Sequence, residues 1–136
     1  MNYVRRLEDE VSAWPGVSAH AHRFGGKEFR FGKAEIGHVH TDGTVDIPFP
    51  RAVRDALLEE GQAEEHRWVP NSGWTTYKIR DVADIQQALG LLRISYLRYA
   101  LKAESNPHQL LRQDSESLHL SPRVISLLEI FSPRST

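Results

Sequence analysis

Cysteine is absent from the 136 residues, which excludes a disulfide framework and thiolate catalysis and fits a reducing compartment. No apolar run approaches the roughly 20 residues that span a bilayer, so no membrane partner is expected. An excess of one charge is missing too: 17 Lys and Arg stand against 18 Asp and Glu. That balance leaves no basic stripe for a phosphate backbone, and nucleic acid is not expected as a partner. Repeats and low-complexity tracts are also lacking. The stretch Met1 to Ala13 is acidic and amphipathic, without the basic-then-apolar layout of a secretory leader, and a cytoplasmic location is expected. A chain of this length fits one domain that buries roughly two-thirds of its unfolded surface, so its core needs no staple.

What is present reads as a helix, a run of strands, a helix, two strands, a long helix and a tail. Tyr3, Val4, Leu7 and Val11 recur at helical spacing until Pro15-Gly16 stops them. From Val17 to Phe49 the texture becomes short alternating segments punctuated by glycine. Pro50 suits a helix start, Val53, Ala56 and Leu57 face inward, and Gly61 ends the pattern. Glu64 to Val69 and Trp74 to Ile79 read as a strand pair around Pro70-Asn71-Ser72-Gly73. Asp81 and Asp84 open the longest helix, which carries Val82, Ile85, Leu89, Leu92, Tyr96 and Tyr99. Beyond Lys102 the chain turns polar until Ser121-Pro122 starts a short apolar helix ending at Phe131. This order predicts an α+β fold, an antiparallel β-meander with helices on one face. Residues 1–102 form the domain, and residues 103–136 a polar arm with a C-terminal docking helix. Six of the eight residues from Val124 to Phe131 are apolar, so that helix is expected to bury itself on its own domain or in a homodimer.

Seven histidines is a high count, and four form two His-x-His pairs, His20/His22 and His38/His40. Alternate strand residues share a face about 6.6 Å apart, so each pair points one way. Taking Gly25-Gly26, Gly32-Lys33 and Asp42-Gly43 as two-residue hairpin loops sets the register. Arg23 then lies opposite Glu28, and Arg30 opposite Glu35. Phe29 faces His22 and Ile36, Phe31 faces His20 and Ala34, and Val45 and Ile47 face His40 and His38. All four histidines fall on the apolar face. A three-residue loop Thr41-Asp42-Gly43 is the alternative: it puts Asp46 opposite His38 as a dyad and turns Val45 and Ile47 away from Ile36.

For any one histidine, a hydrogen-bonded place in the core is the plainer reading. Four on one face each need a partner or water when buried, and a polar ligand pocket supplies both. Three chemistries use such a face. Gly32-x5-His38-x-His40 imitates the opening of a cupin metal motif, but Thr44 and Val45 stand where its glutamate belongs, so no metal is expected. Acid–base work suits imidazole, although no serine or cysteine nucleophile sits in a recognisable frame. Third, the histidines with Phe29, Phe31, Trp68 and Trp74 form a clasp for a flat aromatic ligand.

The segments His22-Arg23-Phe24-Gly25-Gly26, Glu28-Phe29, Glu35-Ile36-Gly37-His38-Val39-His40, Asp46 to Phe49, Gly61 with Glu64 and His66, Ser72-Gly73-Trp74 and Leu92 to Tyr96 together resemble the luciferase-domain family. This bacterial and fungal family takes its name from the fungal luciferase, and the likeness covers about Trp14 to Tyr99. It implies oxygen-dependent chemistry on an aromatic, polyketide-like pyrone without bound flavin or haem. His38, His66 and Trp74 are positions where this chain matches the family pattern. The order of elements also resembles the small MmcQ/YjbR proteins, implying a frataxin-like sandwich.

The expected function is therefore small-molecule binding in a histidine-lined pocket, with chemistry of oxidoreductase type and no cofactor. His38 and His66 are the expected catalytic residues, and His20, His22, Phe29, His40 and Trp74 the expected ligand contacts. The alternative is a non-catalytic module for a partner protein or nucleic acid. An open pocket at the histidines favours the first, and an open Arg/Glu face with packed histidines the second.

Overall fold

The computed structural model describes residues 2–22, 25–66, 69 and 72–133. The chain runs α1 (Tyr3–Val11), β1 (Val17–Ala21), β2 (Lys27–Phe31), β3 (Ala34–Val39), β4 (Thr44–Pro48), α2 (Arg51–Glu59), β5 (Glu64–Glu65), β6 (Trp74–Lys78), α3 (Ile85–Ala103), α4 (Pro107–Ser117) and α5 (Pro122–Glu129). The strands make one antiparallel sheet in the order β1-β2-β3-β4-β6-β5. Helices α1 and α3 cover one face of it, so the fold is α+β, as the order of elements predicts. The core lies between these layers: Phe29, Ile36, Val39, Val45 and Ile47 from the strands are buried with Leu7 and Val11 of α1 and Leu92 and Tyr96 of α3.

The meander differs from the expected register in two of its three turns, and the differences decide which face carries the histidines. Gly32-Lys33 is the expected tight turn, with Phe31 opposite Ala34 and Arg30 opposite Glu35. The first turn is longer than Gly25-Gly26. The His22 amide donates to the Gly26 carbonyl, and His20 pairs with Glu28 and Ala19 with Phe29. This three-residue slip turns His20 away from the apolar face. Both glycines adopt positive φ, and a Cβ on Gly26 would meet the Val39 carbonyl at 1.9 Å. Arg23, expected opposite Glu28, lies outside the described residues.

A β-bulge interrupts the β2–β3 pairing, so Phe29 pairs with Gly37 rather than Ile36. The extra residue shifts the alternation of β3 by one. Ile36 and Val39 are buried on the helix side, and His38 and His40 face the other way. Gly37 fits because α3 approaches it closely: a Cβ there would lie 2.5 Å from Leu92 Cδ2. The next turn is the three-residue alternative, closed by the His40 amide on the Thr44 carbonyl at 2.8 Å, and it sets His38 opposite Asp46. Val45 and Ile47 stay in the core beside Ile36 because bulge and loop compensate each other. The placement of the four histidines on the apolar face is thereby corrected. They share the open face with the charged residues.

Asp81 caps the 3-10 turn that leads into α3. Its carboxylate accepts the Ala83 amide at 2.8 Å while Asp84 accepts those of Arg80 and Asp81, around a 3-10 turn (Val82–Asp84). The span read as a polar arm holds α4, whose start Asn106 caps and whose Leu111 is buried as the helix packs on α3. Ser121 caps α5, and its Val124 and Leu128 are buried as it packs on α2 and α4. Its Ile130 remains 75% exposed. Among the described residues no helix is long and apolar enough to cross a membrane.

Candidate functional site

Asp46, at the middle of the open face, is 3% exposed and is ringed by imidazoles. Its position follows from three pairings: β3 brings His38 directly opposite, the turn after β3 carries His40, and β6 sets Thr76 on the other side. Asp46 Oδ2 lies 2.7 Å from His40 Nε2 and 3.3 Å from His38 Nε2. Its Oδ1 accepts the Thr76 hydroxyl at 2.9 Å and lies 3.5 Å from His66 Nε2. His66 arrives through the short β5, which Arg54 ties to α2 by bonds to Asp55 and Glu65 at 2.8 and 2.9 Å. Across the bulge, Glu35 Oε2 meets His38 Nδ1 at 2.6 Å and so fixes the ring. The His22 ring stacks on His38 at 4.1 Å, and Trp74 stands tilted 5.4 Å from His38 and 6.3 Å from His66.

Beside Asp46 the face opens into a cleft of about 530 Å³, with His40, His66, Thr76 and Lys78 among its lining residues. His38 and Trp74 belong to the cluster but do not line this cleft.

The electrostatics follow from mutual satisfaction. Burial alone would lower the pKa of His38, but hydrogen bonds to Asp46 and Glu35 outweigh it and raise the imidazole to about 9. Burial would raise Asp46, yet its bonds to His38, His40 and Thr76 hold it well below the usual carboxylate range. His22 is pushed down, first by burial and then by repulsion from His38 and His40. One ligand atom each from His38, His40 and Asp46 lies within 4.8 Å of the others, close enough to share a metal ion. Asp46 offers a carboxylate oxygen beside the two imidazoles, which the cupin-like spacing does not offer at Thr44 and Val45.

Of the residues expected at the site, His22, His38, His40, His66 and Trp74 gather around Asp46. His20 shares the face but sits on the edge strand β1, its Nε2 at 2.7 Å from the Ser18 hydroxyl. Phe29 is wholly buried on the opposite face, under the helices, because the longer first turn pairs it with Ala19. Phe31 also lies on that side, its ring 5.7 Å from Tyr96. Trp68 lies outside the described residues. The register assumed for the sequence misses Thr76 and uses Glu35 only as a partner for Arg30. The signal for Glu35 was Gly37, since a glycine inside a strand pattern marks a bulge and a bulge turns Glu35 and His38 to one face.

Comparison with curated proteins and with solved structures returned no significant match, so the likeness to MmcQ/YjbR proteins gains no support from them. A family model does match. Residues 33–95, just under half of the chain, fit the family described as luciferase domain. That segment carries His38, His40, Asp46, His66 and Trp74, and it is what this chain shares with the luciferase-domain family.

Proposed function

We propose that the cleft beside Asp46 binds a small aromatic molecule and oxidises it with dioxygen, without flavin or haem. The observation that supports this reading is the buried Asp46 ringed by three imidazoles at the side of an open cleft. Buried carboxylates are costly, and a group of interlocked titratable side chains beside a cavity is the usual mark of chemistry. An enolisable aromatic substrate, the class implied by the family resemblance, needs a base and a hydrogen-bond donor for its oxyanion. His66 and His40 line the cleft and serve as bases. Lys78, which lines the same cleft, supplies the donor, while His38, oriented by Glu35, acts from outside the cleft by presenting Nε2 to Asp46 and holding that carboxylate ionised. The deprotonated substrate passes one electron to dioxygen, the two radicals combine, and the peroxide anion regains the proton from the imidazolium.

The test is oxygen uptake by the full chain with aryl-substituted hydroxypyrones. His38→Ala and His66→Ala are each expected to abolish uptake while the protein stays folded. Uptake unchanged in both variants would sink the reading, as would a wild-type protein that neither consumes oxygen with these compounds nor binds them. The alternative of a non-catalytic module required packed histidines and an open Arg/Glu face. Here histidines and charges share one face and two of the histidines line a cleft, which favours the small-molecule reading.

A further inference from the structure

The structure assigns a metal site to the same cluster: we propose that His38, His40 and Asp46 bind one divalent first-row transition-metal ion. The proposal concerns the site described above but rests on donor geometry alone, not on the oxidation reading. A tetrahedral ion with bonds of about 2.0–2.1 Å needs donors about 3.3 Å apart. His38 Nε2 and His66 Nε2 lie 3.3 and 3.5 Å from the Asp46 oxygens, and His40 Nε2 lies at 2.7 Å. The His40 pair must open by about half an ångström for an ion to replace its hydrogen bond, whereas His66 Nε2 faces the other carboxylate oxygen and stays outside the group of donors that lie within 4.8 Å of one another.

Three further observations point the same way. All three imidazoles present Nε2 to the carboxylate, whereas histidines that merely stabilise a core have no reason to converge through one atom type. Glu35 holds Nδ1 of His38 at 2.6 Å, the carboxylate–histidine support that orients a metal-bound ring and raises its basicity. Finally, among the described residues the ion-pair partners of Asp46 are imidazoles only, with no Lys or Arg. Two neutral imidazoles and one carboxylate around a divalent ion leave one positive charge, and Glu35 cancels it. Imidazole with a single carboxylate suits iron, zinc or cobalt rather than magnesium or calcium, which favour oxygen. The cleft reaches the carboxylate from the His40 and His66 side and gives the ion an open coordination position.

The experiment uses the full chain without a histidine tag, stripped with a chelator and titrated with Co²⁺ and then Zn²⁺. One ion per chain is expected at micromolar concentrations, with the visible ligand-field bands of low-coordinate Co²⁺ and their displacement by Zn²⁺. His40→Asn and Asp46→Asn are expected to abolish stoichiometric binding. Glu35→Gln, which touches no ion, is expected to weaken it about 10–100-fold. Should Asp46→Asn fail to fold, His40→Asn decides the matter, because the His40 side chain is 26% exposed and its loss is tolerable. A wild-type chain that takes up neither ion at tens of micromolar overturns the site, and so does stoichiometric binding that survives His40→Asn. Oxygen uptake, measured separately on stripped and reloaded protein, keeps the two readings apart. Binding without uptake upholds the metal and sinks the oxidation, and uptake without binding does the reverse.

Discussion

The two faces of this sheet are built from the same strands and obey different rules. On the helix side, Phe29, Ile36, Val39, Val45 and Ile47 interlock with Leu7, Val11 and Leu92, and each is fully buried. On the other side Asp46 is nearly as inaccessible, yet every contact that holds it is polar. The apolar face takes its energy from area removed from water and from close packing, so its losses scale with volume. The polar face gains little net stability, because each hydrogen bond replaces one with water. Its contribution is orientation. The difference teaches that burial alone does not separate core from site, since Asp46 and Val39 are both hidden from solvent.

The largest effect expected from breaking this division is on the helix side. Phe29→Ala removes a fully buried ring and should cost about 3–5 kcal/mol in urea denaturation. A loss below about 1 kcal/mol would mean that Phe29 is not the keystone its burial implies.

An intermediate effect is expected at the centre of the polar face. Asp46→Asn keeps the volume, but its amide nitrogen replaces one acceptor, and a cost of about 1–3 kcal/mol is expected. His66→Ala should change stability by no more than about 1 kcal/mol, and His38→Ala by about as much as Asp46→Asn, roughly 1–3 kcal/mol, while each removes ligand binding and turnover. Unfolding of His38→Ala in a protein for which no ligand is found would instead return the histidines to the role of core supports. The contrast between a stability loss without a specific site loss at Phe29 and the reverse at His66 is the sharpest form of the comparison.

Much of the helix side was legible in the sequence, and little of the polar side. Val53, Ala56 and Leu57, the Asp81–Asp84 start of α3 and the Ser121 cap of α5 can all be read from spacing, because helical periodicity and caps are local. The face of each histidine is not local. It depends on parity, and parity is lost wherever a bulge or an odd loop intervenes. The register in which all three turns are two residues long is self-consistent, yet it places His38 on the wrong side. Gly37 was the marker of the bulge, and the Thr41-Asp42-Gly43 loop was the alternative that the sequence left open. The approach of His66 to Asp46 depends on β5 pairing with β6 across a turn of uncertain length, and no spacing encodes it.

The last expected effect is a pH dependence that belongs to the polar face alone, observed in protein kept metal-free by a chelator. Burial by itself would depress the His38 pKa, but Asp46 and Glu35 overcome this and raise it from an ordinary 6.5 to about 9. A group whose folded pKa exceeds its unfolded value binds protons more tightly in the native state. Its stabilisation is therefore complete below about pH 6.5 and is lost as pH rises through about 9. The thermal midpoint should fall across that window, since the native state loses a proton that the unfolded chain has already given up. Phe29→Ala should show the same slope from a lower starting value, because it removes no titrating group. His38→Asn should flatten the slope, and Glu35→Gln should move its upper end to lower pH by withdrawing one of the two carboxylates. A wild-type midpoint that is flat from about pH 6.5 to 9, or a slope that His38→Asn leaves unchanged, would show that the two carboxylates do not hold a proton on His38. The polar face would then be tied together by neutral hydrogen bonds.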